Sequence, residues 1–415
     1  MRGDETPLEV FGRIGLLSFG GPAAQISLLH REVVERRPWL SEAEFLRALA
    51  FCMLLPGPEA MQLATYAGWR RGGIAGGLVA GGLFVLPGAA IVLVLAAFYA
   101  AFGDLPAVTA LFLGVKAAVV AIVVEALLRV SRRSLGGRRE WLIASAAFAA
   151  IFAFALPFPL VVVLAGLAGA VWLPRAPGLP APLPAHPRLA AIAATGLGLW
   201  WAPVALAGAA GAAFLTDVGL YFSKLAVVTF GGAYAVLTYM TQTVVHDFGW
   251  LTTAQMMDAL GLAETTPGPL ILVTEFVAYL AGHGTGGASL GLAAAAMALW
   301  VTFVPCFLWV FALAPYVDWI ATRPRLGAAL KGISAAVVGV ITTLALWFAT
   351  HVVFARTVTA VLGPMNLTLP DPASLQPLPT AIALAAAWLL LFRHWNLVAV
   401  LALSALAGLA SAGPA

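Results

Sequence analysis

The chain has 415 residues, of which 62% are hydrophobic and 10% charged, with a formal net charge of +4. Soluble domains carry about a quarter charged residues, so this composition and a mean hydropathy of +0.98 exclude a soluble protein and leave an integral membrane one. Several apolar runs reach the roughly 20 residues a helix needs to cross about 30 Å of hydrocarbon, and no alternating segments suggest a barrel, so the expected fold class is an all-α polytopic membrane protein.

Residues 8–29 form an apolar stretch broken at Gly20-Gly21-Pro22, and a charged connector follows over 30–44. The next apolar run, 45–69, is interrupted at Pro56-Gly57-Pro58 with Glu59 beside the break. Residues 73–102 are long enough to cross, bent by Pro87, and 107–130 cross next with Lys116 and Glu125 inside. These two charges are too far apart to pair one turn apart, so each is expected to partner another helix. The run 141–173, divided by Pro157-Phe158-Pro159, is expected to be a hairpin of two short helices. A proline-rich linker over 174–187 and one span over 189–210 lead into the second half. That half has apolar segments at 214–240, 259–281, 284–316 and 327–348, then a final pair around Arg393-His394-Trp395-Asn396.

The positive charges are spread over membrane-flanking loops, which argues against a nucleic-acid partner and makes them useful for topology. Cys52 and Cys306 sit in apolar runs and read as packed thiols. No small-residue cleavage pattern follows the charged first residues, so no signal peptide is expected to be removed. The histidines show no ligand spacing, so no metal site is expected. Without a cofactor motif, a nucleophile and base pair or a P-loop, neither an enzyme nor an ATP-driven pump is expected, and no cofactor.

The two halves repeat. Phe19-Gly20-Gly21, Trp39-Leu40-Ser41 and Pro56-Gly57-Pro58 recur as Phe230-Gly231-Gly232, Trp250-Leu251-Thr252 and Pro267-Gly268-Pro269, each 211 residues later. Gly114 with Ala117-Ala118-Val119-Val120 recurs at a spacing of 218, which implies an insertion in the second copy. Breakers and loop tryptophans held in one register point to duplication. Basic residues change sides between the copies. Arg31, Arg36, Arg37, Arg47, Arg70 and Arg71 have no basic counterparts, whereas Arg323 and Arg325 stand where the first copy has none. The copies are therefore read as inverted, with the N-terminus and first connector cytoplasmic. The boundaries expected are 1–173 for the first repeat, 174–212 for linker and connecting helix, and 213–415 for the second. Four broken segments, read as half-membrane re-entrant hairpins with full crossings as the alternative, and nine full spans complete the expectation. Whether the chain pairs as a homodimer is left open.

Paired interrupted segments point to a transporter's binding site. A break at Gly-Gly-Pro or Pro-Gly-Pro starts a half-helix whose free N–H groups suit an anion. The candidate substrate site is Phe19, Gly20, Gly21, Pro22, Pro56, Gly57, Pro58, Phe230, Gly231, Gly232, Thr265, Thr266, Pro267, Gly268 and Pro269. Hydroxyls of Ser18, Thr229, Thr265 and Thr266 are expected to add donors; the alternative is that the glycines and prolines serve only packing and kinking. Glu59, Glu264 and Glu275 lie in or beside the breaks, where ionisable groups are functional by default, and are the candidate proton carriers. Helix capping is the other role open to Glu59 and Glu264. Lys224 either offsets substrate charge or snorkels to the interface. Trp39 and Trp250 read as interfacial anchors.

These motifs resemble the chromate transporter family. Phe19 to Ile26, His30-Arg31-Glu32, Trp39-Leu40-Ser41, Pro56 to Ala60 and Gln62 to Tyr66 resemble its first domain, and Ala263 to Leu270 its second. The resemblance adds Gln62 to the expected substrate contacts. It implies the long two-domain form and export of chromate, with sulfate as a similar oxyanion, across a prokaryotic inner membrane. Proton-coupled alternating access is the expected mechanism, and another oxyanion permease or an anion channel is the alternative. Ala50, Met61 and Glu275 depart from the family pattern, losing two amides and gaining an acid.

Overall fold

The computed structural model describes residues 5–19, 21–174, 183–230, 233–321, 323–362 and 365–411. The expected breaks at Gly20, Gly231 and Gly232 lie outside these. In the first half the helices are α1 (Pro7–Leu17), α2 (Gly21–His30), α3 (Glu42–Cys52), α4 (Glu59–Phe102), α5 (Pro106–Ser134), α6 (Arg138–Phe152) and α7 (Phe158–Trp172). Next come α8 (Leu189–Ala209), α9 (Ala213–Val228), α10 (Ala233–Gln242), α11 (Thr253–Thr265), α12 (Val273–Leu313), α13 (Val317–Ala321) and α14 (Pro324–Val353). An antiparallel hairpin, β1 (Thr357–Leu362) and β2 (Met365–Pro370), then precedes α15 (Pro377–Ala387) and α16 (Leu397–Ser411). The protein is an all-α polytopic membrane protein, and this small hairpin in the second half departs from the all-helical expectation.

Local sequence explains the matching shapes of the copies. Ser41 caps α3 with Glu44 reaching back, and Thr252 makes the same reciprocal contacts with Gln255 at α11. Each preceding connector ends in a wide turn, closed by Arg36 N–H on Arg31 O in one copy and Phe248 N–H on Thr243 O in the other, both at 2.9 Å. The insertion falls in two places. Gly72-Gly73 kinks α4 and Gly286-Gly287 kinks α12, at a spacing of 214, and the helical prolines Pro87 and Pro305 stand 218 apart. α1, α2 and α3 have 11, 10 and 11 residues, which at 1.5 Å per residue reach only about half the hydrocarbon thickness. Stretches of α4, α5, α8, α12 and α14 are long and apolar enough to cross. α6, α7 and α16 have 15 residues each and α15 has 11, so these four of the nine expected spans are shorter than a straight crossing.

Two compact units form, and each draws on both repeats: Met1–Ala100, Pro177–Ala233 and Leu262–Pro324 make one, and Ala101–Ala176, Tyr234–Gly261 and Arg325–Ala415 the other. In the first unit α8, α9 and α12 pack together, with Trp200 Nε1 donating to Ser223 Oγ at 3.1 Å. Its connector is tied down by charge. Buried Glu32 accepts from Arg36 at 2.7 Å, Arg37 at 2.6 Å and Arg13 at 3.2 Å, and Glu5 bridges Arg13 and Arg37. Arg71 covers the ring of Trp39 at 4.5 Å.

In the second unit the helical hairpins are exchanged between copies. α16 lies on α5, with Gly114 against the Ser404 carbonyl and Gly408 against that of Ala110; α7 lies on α14, with Gly332 against Ala165 and Gly169 against Ala328. Small residues let the backbones touch, which is how helices gain contact energy in a bilayer where lipid is as apolar as leucine. Gly114 and Gly332 hold the 218 register, so the same contact is made once by each copy. Lys116 partners another helix as expected, Asp258 on α11 at 3.2 Å. Glu125 does not: it pairs with Arg129 one turn along its own helix, where a side chain needs no partner element.

Candidate functional site

Both Pro-Gly-Pro breaks lie in the first unit, as do Ser18 and Thr229. Gly57 has φ +123° and Gly268 +92°, conformations that side-chain-bearing residues rarely adopt, so each Pro-Gly-Pro turns sharply at its glycine. The freed backbone groups are satisfied across the copies. Gly57 N–H donates to Thr229 O at 2.7 Å, and Gly268 N–H donates to Ser18 O at 3.0 Å. Ser18 and Thr229 are 211 apart, as are Gly57 and Gly268, so each copy's Pro-Gly-Pro loop is held by the other copy's first break. This reciprocity is what a two-fold relation between repeats produces. It continues one layer out: Gly88 leaves no room for a Cβ beside Pro267 O, and a Cβ on Gly57 would stand 2.6 Å from Cys306 Sγ, with Gly88 and Cys306 at the 218 spacing.

The arrangement is not fully symmetric. Buried Gln25 donates from Nε2 to both Ser18 O, at 3.1 Å, and Gly268 O, at 2.7 Å. Its counterpart 211 residues on is Val236, which has no amide. The other crossing carries Gln62 instead, whose Nε2 donates to Pro56 O at 2.7 Å within its own loop. Gln62 is fully buried, and its Oε1 has no hydrogen-bond partner. Other buried polar atoms of this unit also have no hydrogen-bond partner, and two of them stand on α12: Thr302 Oγ1, one turn before Cys306, and Glu275 Oε2 near the start of the helix. Unpaired polar groups are costly at membrane depth, and such residues mark function.

Several expected donors turn out to be committed. Ser18 Oγ donates to Gly15 O, Thr229 Oγ1 to Leu225 O, Thr265 Oγ1 to Leu262 O and Thr266 Oγ1 to Ala263 O. Their hydrogens are thus spent on the preceding helical turn, and the N–H groups of Gly57 and Gly268 are spent on the crossings. Pro56, Pro58, Pro267 and Pro269 shape the loops around these glycines. Phe19 is exposed, while Pro22 and Phe230 are half-buried. Gly21 takes φ +75° at the start of α2. Glu59 begins α4, in the position where an acid complements the helix dipole, and is half-buried. Glu264 is buried in the last turn of α11, so capping that helix's N–H groups is not open to it. Lys224 is exposed on α9. His30, at the end of α2, is held by Glu42 Oε2 at 2.7 Å and Glu35 Oε1 at 3.1 Å. The contact with Glu42 chiefly raises its pKa above the usual 6.5.

Gln25 and Thr302 are the residues that site reasoning from sequence passed over. Both are polar residues in apolar surroundings, which is the signal that marks them.

These observations define a class: a polytopic membrane protein of two copies whose broken helices lock into each other around buried, partly unpaired polar groups. The chain belongs to the chromate transporter family, whose profile matches residues 7–170 and 216–409. It is 33% identical over 333 residues to the chromate transport protein of Cupriavidus metallidurans, covering 80% of this chain and 79% of that one. It is 36% identical over 338 residues to that of Pseudomonas aeruginosa, covering 80% and 77%. An uncharacterized transporter of Methanocaldococcus jannaschii is 24% identical over 412 residues, covering 96% and 92%. No solved structure matches the chain significantly.

Proposed function

We propose that this chain exports chromate, or an oxyanion of the same shape such as sulfate, from the cytoplasm across a prokaryotic inner membrane. The reciprocal crossing at Gly57 and Gly268 is the observation that carries this reading. A backbone broken at membrane depth is tolerated where it is buried in protein or lines a cavity, and paired breaks are where secondary carriers hold their substrates. The substrate groups we assign are the Gln62 amide, the Thr302 hydroxyl and the half-helix starts after each break. The remaining residues of the four breaks act as the frame.

The unequal crossings support alternating access as the mechanism. The Ser18–Gly268 crossing is clamped by Gln25, whereas among the described residues no such amide bridges the Gly57–Thr229 crossing, which has its N–H bond and the Gln62 loop contact. The second is the weaker, and it is the one that opens. Glu275 is the coupling acid: buried, with one oxygen unpaired, it takes up a proton as one gate closes and gives it up as the other opens. Glu59 and Glu264 stand beside the loops in supporting roles. The basic connector sets the N-terminus on the cytoplasmic side.

Counterflow in proteoliposomes tests the carrier reading. External unlabelled sulfate should drive transient accumulation of labelled sulfate. Flux without counterflow or saturation would mean a channel and contradict it.

A further inference from the structure

The second unit contains an ion pair that the reading above does not use. Lys116 Nζ lies 3.2 Å from Asp258 Oδ1, roughly 15 Å along the axis from the start of α5 at 1.5 Å per residue. The Asp258 side chain is 7% exposed and that of Lys116 19%. An ammonium has three N–H donors, and this one faces a cavity of about 330 Å3 inside the same unit. The polar residues lining it are Thr109, Lys116, Thr253, His351 and Gln376, with no carboxylate among them. Thr109, Thr253 and Pro379 come from the first turns of α5, α11 and α15, so three helix starts with their partial positive charge border the space. His351 Nδ1 lies 2.8 Å from Trp347 O and donates to it, which leaves Nε2 for other contacts.

We propose that this cavity is a second oxyanion site, in which a small tetrahedral dianion competes with Asp258 for Lys116. While the pair is intact, the Asp258 carboxylate neutralises the ammonium. When Asp258 takes a proton from water, the Lys116 N–H groups turn to the anion; loss of that proton restores the pair and expels the anion. The carboxyl O–H bond forms as an O–H bond of hydronium breaks, leaving water, and the reverse step returns the proton to water. Among the described residues lining the cavity the titratable groups are Lys116 from α5 and His351 from α14, with Asp258 from α11 paired to the lysine, and the described residues of α15 and α16 contribute none. Arg356 and Asp371, in the nearby connection, are paired with each other at 3.2 Å. In the orientation proposed above, the starts of α5 and α11 lie at the loops without basic residues, so the cavity serves the outer side, where an exported anion leaves. The proposal stands whether or not the first unit holds the transport site.

The test is binding of radiolabelled sulfate to the purified full-length chain in detergent, measured against pH. Wild type should bind one more sulfate per chain than K116Q/D258N, and that extra site should weaken as pH rises. The double variant is used because K116Q alone strands a buried carboxylate. D258N should bind at this site roughly tenfold more tightly, with its pH dependence gone. Equal stoichiometry in wild type and K116Q/D258N would overturn the proposal, as would D258N retaining wild-type affinity and pH dependence.

Discussion

Replacing Gln25 with leucine tests the frame at its most specific contact. The side chain keeps its bulk, but the bonds from Nε2 to Ser18 O and Gly268 O, at 3.1 and 2.7 Å, are lost. Ser18 O retains Gly268 N–H, so the larger penalty falls on Gly268 O. A buried carbonyl deprived of its partner costs about 1–3 kcal/mol and a shared bond about 1, whereas hydrogen bonds between helices in bilayers average nearer 0.6 each, which gives a range of about 1–4 kcal/mol. Unfolding by SDS in mixed micelles should show a loss in that range for Gln25→Leu. Gln62→Leu, which removes one bond inside its own loop, should lose less stability and more transport. If Gln25→Leu unfolded within about 0.5 kcal/mol of wild type, the amide would not be holding the copies together.

Three further outcomes are expected. Glu275→Gln should keep sulfate counterflow and lose the response to an imposed pH gradient; a variant that still follows the gradient would place the coupling elsewhere. Gly114→Ala and Gly332→Ala put a methyl onto a neighbouring backbone and should reduce monodisperse yield, with a cost at or above the usual 1–3 kcal/mol of overpacking, while Gly82→Ala, which meets nothing within 4 Å, should not. His30, with its pKa raised by Glu42 and Glu35, contributes stability that is fully present below its unfolded value near 6.5 and fades as pH rises through the higher folded value. Amide exchange over 30–44 should therefore be slower at about pH 6 than at about pH 8 after correction for intrinsic rates. Glutamine at position 30 should remove that difference, and a persisting difference would assign it to another group.

Much of the architecture was legible because its signals are local. Proline and glycine mark the breaks, capping residues mark the starts of α3 and α11, and the 211 register shows the duplication. Which loop meets which break was not legible, since Gly268 and Ser18 are brought together only by packing of the two copies. Gln25 is a case of the same kind: its amide spans a sequence separation of 243 residues, and no pattern near position 25 names that partner. The committed hydroxyls were within reach of sequence reasoning. Serine and threonine inside membrane helices commonly bond to a carbonyl three or four residues back, and Ser18, Thr229, Thr265 and Thr266 all do so. This fact also alters what a substitution at Gly57 or Gly268 would report. Both N–H groups hold the crossings, so a β-branched residue there damages the fold along with any anion site.

The most direct measurement is uptake of radiolabelled chromate into everted membrane vesicles containing the protein, with and without an imposed pH gradient and with sulfate as competitor. The account predicts saturable uptake that follows the gradient, is inhibited by sulfate and loses its gradient response in Glu275→Gln. Gradient-independent uptake, or no movement of chromate or sulfate by a folded protein, would contradict it.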